Sequence, residues 1–85
     1  NYPNPFNSGT TIEYSLTQPA EVNLAIYDLT GRLINTLVDY DQPAGRFTVH
    51  WNGIGQRGTP VSAGVYFCRL QTADHNRTIK MLLLK

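Results

Sequence analysis

Gly58-Thr59-Pro60-Val61-Ser62-Ala63-Gly64-Val65-Tyr66-Phe67-Cys68-Arg69-Leu70 is the stretch from which the fold of this chain is read. Two glycines flank a proline, so the chain reverses before Val65. The run that follows, Val65 to Leu70, has the β-branched and aromatic content of a strand buried on at least one face. The segments upstream read as partner strands for this run. Lys80-Met81-Leu82-Leu83-Leu84-Lys85 reads as the strand that returns beside it.

Working outward, Thr10 to Leu16 alternates, with Ile12, Tyr14 and Leu16 on one face and Thr11, Glu13 and Ser15 on the other. Such a period of two belongs to a strand with one face on a core. Gln18-Pro19-Ala20 turns the chain, and Glu21 to Asp28 alternates again. Val22, Leu24 and Ile26 are expected inward there, and Glu21, Asn23, Ala25 and Tyr27 outward. Asp28-Leu29-Thr30-Gly31-Arg32 is a hairpin signal, because Asp caps its own turn and Gly31 supplies a positive φ. Arg32 to Val38 is expected to pair back, 39–45 to form a polar loop, and Arg46 to Trp51 to face Phe47, Val49 and Trp51 inward. After the strand from Gly64 to Thr72, Ala73 to Asn76 reverses the chain into a last strand from Arg77 to Leu84. Some six or seven strands without a helical stretch predict one all-β domain over residues 1–85, an antiparallel sandwich of immunoglobulin type with about seven strands.

Length and composition narrow the function classes. A chain of 85 residues makes one small domain and buries only about 60–65% of its unfolded surface. Its single cysteine, Cys68, forms no internal bridge, and no Cys/His cluster suits zinc. Seven basic and six acidic side chains, dispersed through the chain, give a net charge of +1, which argues against nucleic acid or an anionic membrane as partner. The longest apolar run, Met81 to Leu84, is far short of the ~20 residues of a membrane helix, and no signal-peptide pattern is present. Because the chain begins at Asn1 rather than Met, it is expected to be a processed or excised piece of something longer.

Catalytic and metal chemistry find few candidates. His50 falls on the outward face of a strand and His75 in a hairpin tip, so neither has a partner ligand at useful spacing. The three glycines of 52–58 precede a turn and a strand rather than a helix, so they do not build a phosphate cradle. Cys68 and Trp51 are in phase with core positions, and Asp28, Asp39, Asp41 and Asp74 sit in separate turns. Neither an enzyme activity nor a cofactor is expected. A carbohydrate contact through Tyr27, Tyr40 or Trp51 is a lesser alternative. The terminal strand stands out, being apolar on both faces and bracketed by Lys80 and Lys85. Two readings apply to it: a central or well-covered strand guarded against aggregation, or a strand presented to another protein.

Tyr2-Pro3-Asn4-Pro5-Phe6-Asn7, IYDLTGR (26–32), Trp51-Asn52-Gly53 before a glycine-rich turn, SAGVYF (62–67) and KMLLLK (80–85), in that order, carry a family resemblance. The chain resembles the C-terminal sorting domains of proteins exported by the type IX (Por) secretion system of Bacteroidetes and related phyla. It is also similar to the immunoglobulin-like domain of the flagellar hook-capping protein. The first resemblance implies a non-catalytic address on a secreted or cell-surface protein that passes through the periplasm. Its partners would be outer-membrane translocon and sortase-like protease components and an attached N-terminal cargo domain. By the same resemblance, recognition would fall to Gly64, Tyr66, Lys80, Met81, Leu82, Leu83, Leu84 and Lys85, with Pro3, Asn4, Pro5 and Phe6 as the N-terminal motif. The loop after Trp51 departs from the acidic Asp-Gly-x-Asp pattern, reading Asn52-Gly53-Ile54-Gly55. The alternative is a structural immunoglobulin-like assembly or spacer module that self-associates through its terminal strand.

Overall fold

The computed structural model describes residues 9–83. Within them the chain forms six strands: β1 (Thr10–Leu16), β2 (Ala20–Tyr27), β3 (Leu33–Gln42), β4 (Gly45–Trp51), β5 (Gly64–Gln71) and β6 (Asn76–Leu83). They build two antiparallel sheets, one of four strands in the order β3-β2-β5-β6 and one of two, β1-β4. The all-β, immunoglobulin-like sandwich expected from the alternation is present, with six described strands rather than seven. The N-terminal motif at Pro3, Asn4, Pro5 and Phe6 lies outside the described residues, as do Leu84 and Lys85.

The inward positions of the alternating runs meet in one core. Ile12 and Tyr14 from β1, Val22, Leu24 and Ile26 from β2, and Trp51 from β4 close on Tyr66, Cys68, Met81 and Leu83. Burial of these side chains drives the pairing of the sheets, at roughly 1.5–3 kcal/mol for each large apolar residue. Phe47 and Val49 are only half-buried, because β4 has a strand neighbour on one side only among the described strands.

Three expectations about the strands are corrected. β3 does not stop at Val38 but runs on to Gln42, with Asp39, Tyr40 and Asp41 paired to Asn23, Val22 and Glu21. Polar residues there mark an edge strand exposed to solvent rather than a loop, and the turn shrinks to Pro43 and Ala44. The register also slips twice, so that Leu37 and Ile34 are bypassed in the pairing. These bulges let both side chains pack on the core beside Val38. Ala25, expected outward, is 1% exposed, because β2 is an interior strand and its neighbours cover so small a side chain. Finally, among the described strands β6 is the last of its sheet rather than a central one, with Met81 and Leu83 buried and Leu82 48% exposed.

The segment between β4 and β5 holds its shape through backbone bonds. Ile54 and Pro60 form an isolated bridge, and the Gly55 and Val61 amides donate to Thr59 and Gly53 carbonyls at 2.9 Å each. The Gln56 amide donates to Ile34 O at 2.9 Å, tying this loop to the start of β3.

Candidate docking surface at the hairpin end

One end of the sandwich gathers the described residues of the recognition set, Gly64, Tyr66 and Lys80 to Leu83. The β2–β3 hairpin is there, and Asp28 organises it. Its Oδ1 accepts from the Thr30 amide (2.9 Å), the Thr30 hydroxyl (2.6 Å) and the Arg32 amide (3.0 Å). The Arg32 guanidinium adds an exposed ion pair at 3.4 Å. The Thr30 hydroxyl first, then the Arg32 amide, holds the Asp28 carboxyl below its ordinary value. Gly31 takes φ 85°, as the turn requires. A stiff turn therefore holds Leu29 out at its tip, 71% exposed.

Beside the hairpin lies the start of β5. Gly64 has φ 148° and no heavy atom within 4 Å of where a Cβ would stand, so the backbone rather than crowding selects glycine. Tyr66 is buried, its hydroxyl donating to Ser62 O at 2.7 Å and its ring edge-on to Trp51. Burial chiefly raises the Tyr66 hydroxyl's pKa, with a smaller push from the Asp28 charge. Of the terminal-strand candidates, Lys80 and Leu82 face out, and Met81 and Leu83 belong to the core. A partner meeting the folded sandwich thus touches Lys80, Leu82 and the rim of Gly64, and reaches Tyr66, Met81 and Leu83 only by unfolding it. Since Gly64 pairs with Leu83 and Thr10 with Trp51, both ends of the described chain emerge at this same end.

The outward face of the four-stranded sheet adds residues that sequence reasoning did not single out. Leu33 pairs with Tyr27, Tyr27 with Phe67, and Phe67 with Lys80, making one row across four strands. Arg69, one row below, stands with its guanidinium carbon 5.7 Å from the centre of the Tyr27 ring. A hollow of about 280 Å³ between Leu29, Phe67 and Arg69 adjoins another of about 250 Å³ between Leu29, Gly64 and Val65. The available signal was Leu29, an apolar side chain at the tip of an otherwise polar turn.

The remaining candidates are scattered. His50 is exposed beside Thr11 (Oγ1 to Nδ1 3.4 Å), and His75 is exposed in the β5–β6 turn at the opposite end. Cys68 is buried, and burial pushes its thiol up to about 12. Among the described residues no three His, Cys, Asp or Glu side chains group to hold a metal ion. No helix among them is long and apolar enough to cross a membrane. A hollow of about 510 Å³ also lies at the far end, beside Pro19, Leu70, His75 and Arg77.

The family model of the FlgD Ig-like domain matches residues 4–76. This chain belongs to the FlgD Ig-like domain family. A crystal structure of FlgD from P. aeruginosa superimposes with a TM-score of 0.69 at 21% identity, covering 94% of this chain and 61% of that one. At that identity the likeness to FlgD is one of fold, and the chain spans under two thirds of that protein's length. No curated protein sequence matches. The match to the FlgD Ig-like model ends at residue 76, where β6 begins.

Proposed function

We propose that this domain is a non-catalytic assembly module, an immunoglobulin-like sandwich that docks against neighbouring protein in an extracellular structure of the flagellar hook-cap kind. Membership of the FlgD Ig-like family over residues 4–76 carries the reading. The open outer edge of β6 supports it, since β6 pairs only with β5 among the described strands and a terminal edge strand can accept a strand from a neighbour. Sedimentation over a wide concentration range tests it. Assembly that grows with concentration and weakens when Leu82 is changed to Lys is expected; a strict monomer throughout, with no association to its parent protein's neighbours, overturns it.

A second reading is an export address for the type IX translocon, with a secreted or cell-surface location reached via the periplasm. It rests on the motif series from Tyr2 to Lys85 and draws no support from the family match. One structural observation favours it: Gly64, the exit of β6 and the entry to β1 share one end of the sandwich, so a single receptor surface could span them. Fusing residues 1–85 behind a periplasmic reporter tests it, in a type IX-competent host and a translocon-null control. Surface delivery only in the competent host supports an address; retention in both removes it.

A further inference from the structure

We propose that the outward face of the four-stranded sheet, at the hairpin end, is a docking surface for an acidic and apolar protein segment, with Arg69 as its anchor. The segment would bring a carboxylate to Arg69 and lay apolar side chains against Leu29, Leu33 and Phe67.

Arg69 carries the argument. Its Nε is closed off from solvent and meets no acceptor among the described residues. A shielded guanidinium N–H left unbonded is costly, and a carboxylate that draws the half-buried Arg69 side chain outward recovers the loss through a charge-assisted bond. The Tyr27 ring beneath it supplies one face of cation–π contact but no acceptor in the plane of the fork. The nearest acid in the hollow is Asp28, and its carboxylate is already occupied by Thr30 and Arg32. Lys80, opposite Phe67 in the next row, adds a second cation on the same face.

The apolar half of the surface is equally unspent. Leu29 at 71%, Leu82 at 48% and Leu33 at 38% exposure flank half-buried Tyr27, Phe67 and Val65. An exposed apolar group rimmed by polar residues marks an interaction site, and an arginine set among aromatic rings is the composition of a binding hot spot. Apart from Asp28, which is paired with Arg32, the acids of this face, Glu21, Asp39 and Asp41, lie at its other end, two and three rows from Phe67. The hairpin end is therefore cationic and apolar together, which complements a carboxylate flanked by apolar side chains and disfavours a basic segment.

This inference extends the assembly role, but its test reads the 85-residue domain alone, so either can fail without the other. The ¹⁵N-labelled domain is titrated with the peptide acetyl-Leu-Asp-Val-Glu-Phe-amide and with its isostere acetyl-Leu-Asn-Val-Gln-Phe-amide, following backbone amides and the Arg69 Nε–H signal. Expected are saturating shifts at Tyr27, Leu29, Phe67, Arg69 and Lys80 with the acidic peptide, and affinity at least about tenfold weaker for the isostere. Arg69→Gln should reduce the acidic peptide to the isostere's affinity with the rest of the spectrum preserved. Equal binding of both peptides, shifts confined to other surfaces, or no saturable shift at millimolar peptide overturns the proposal. So do concentration-dependent shifts over these residues without peptide, which would assign the surface to a second copy of the chain.

Discussion

Trp51 and Tyr66 meet edge to face between the two sheets, their ring centres 5.2 Å apart and their planes at 71°. Each also pins the long loop between β4 and β5. The Trp51 indole donates to Ile54 O at 3.0 Å, an oxygen that also accepts from the Asn35 side chain at 2.8 Å. The Tyr66 hydroxyl holds Ser62 O. One aromatic pair thus closes the core and fixes both ends of the loop that leads to Gly64.

The pair should therefore be energetically coupled. Trp51→Leu and Tyr66→Leu are each expected to cost about 2–5 kcal/mol. In a double-mutant cycle the two should show a coupling of about 0.5–1.5 kcal/mol. Tyr66→Phe keeps the ring and loses only the bond to Ser62 O, for about 0.5–1.5 kcal/mol. Urea unfolding of the five proteins, the parent, the two leucine variants, their double mutant and Tyr66→Phe, measures all these quantities. A coupling indistinguishable from zero would mean that the ring contact contributes nothing beyond area.

Asp28 gives the hairpin a pH dependence of known sign. Its folded pKa is depressed by the Thr30 hydroxyl and the Arg32 amide. Its stabilising contribution is therefore present above the unfolded value near ~3.9 and is lost as pH falls through the folded value. Hydrogen exchange at the Thr30 and Arg32 amides should rise relative to the core as pH drops below about 4, after correction for intrinsic rates. Asp28→Ala should show the raised exchange at every pH. An unchanged ratio across that window would contradict the capping role.

Most strands were legible because their burial alternates: Ile12 and Tyr14, then Val22, Leu24 and Ile26, declared their inward faces by period alone. The hairpin was legible because Asp28 and Gly31 have single physical uses in a turn. β3 was misread past Val38 because an edge strand needs no apolar alternation on its exposed positions, and two bulges broke the period that remained. The terminal strand misled in another way. An apolar run reads alike whether one face or both are covered, and only sheet order reveals that Leu82 is left outside. Arg69 and Phe67 were invisible as a surface because their neighbours come from β2 and β6.

Leu82 and Leu83 separate the structural from the interactive use of β6. Leu83 is 1% exposed and Leu82 48%. Leu83→Ala should cost about 2–4 kcal/mol through lost burial and the cavity left behind. Leu82→Ser should stay within about 0.5 kcal/mol of the parent while weakening whatever contact the domain makes through that face. Unfolding curves paired with sedimentation check both. Equal destabilisation by the two changes would show that both faces of β6 are covered in solution.

Cys68 supplies a pH dependence at the alkaline end. In the native sandwich the thiol is buried and pushed up to about 12; once unfolded it titrates near ~8.5. Between those values the unfolded chain has released a proton that the folded chain retains, so stability must fall as pH rises. The loss attributable to this thiol should reach about 2 kcal/mol between neutral pH and pH ~10. Tyrosines also ionise there, so the quantity to measure is the difference in unfolding free energy between the parent and Cys68→Ala. That difference should be constant below about pH 8 and shrink steadily above it, in step with the unfolded thiol's titration. Thiol reagents should meanwhile modify Cys68 only at the rate at which the sandwich opens. Rapid labelling of the folded domain, or a difference that stays constant to pH ~10, would place the thiol outside the core.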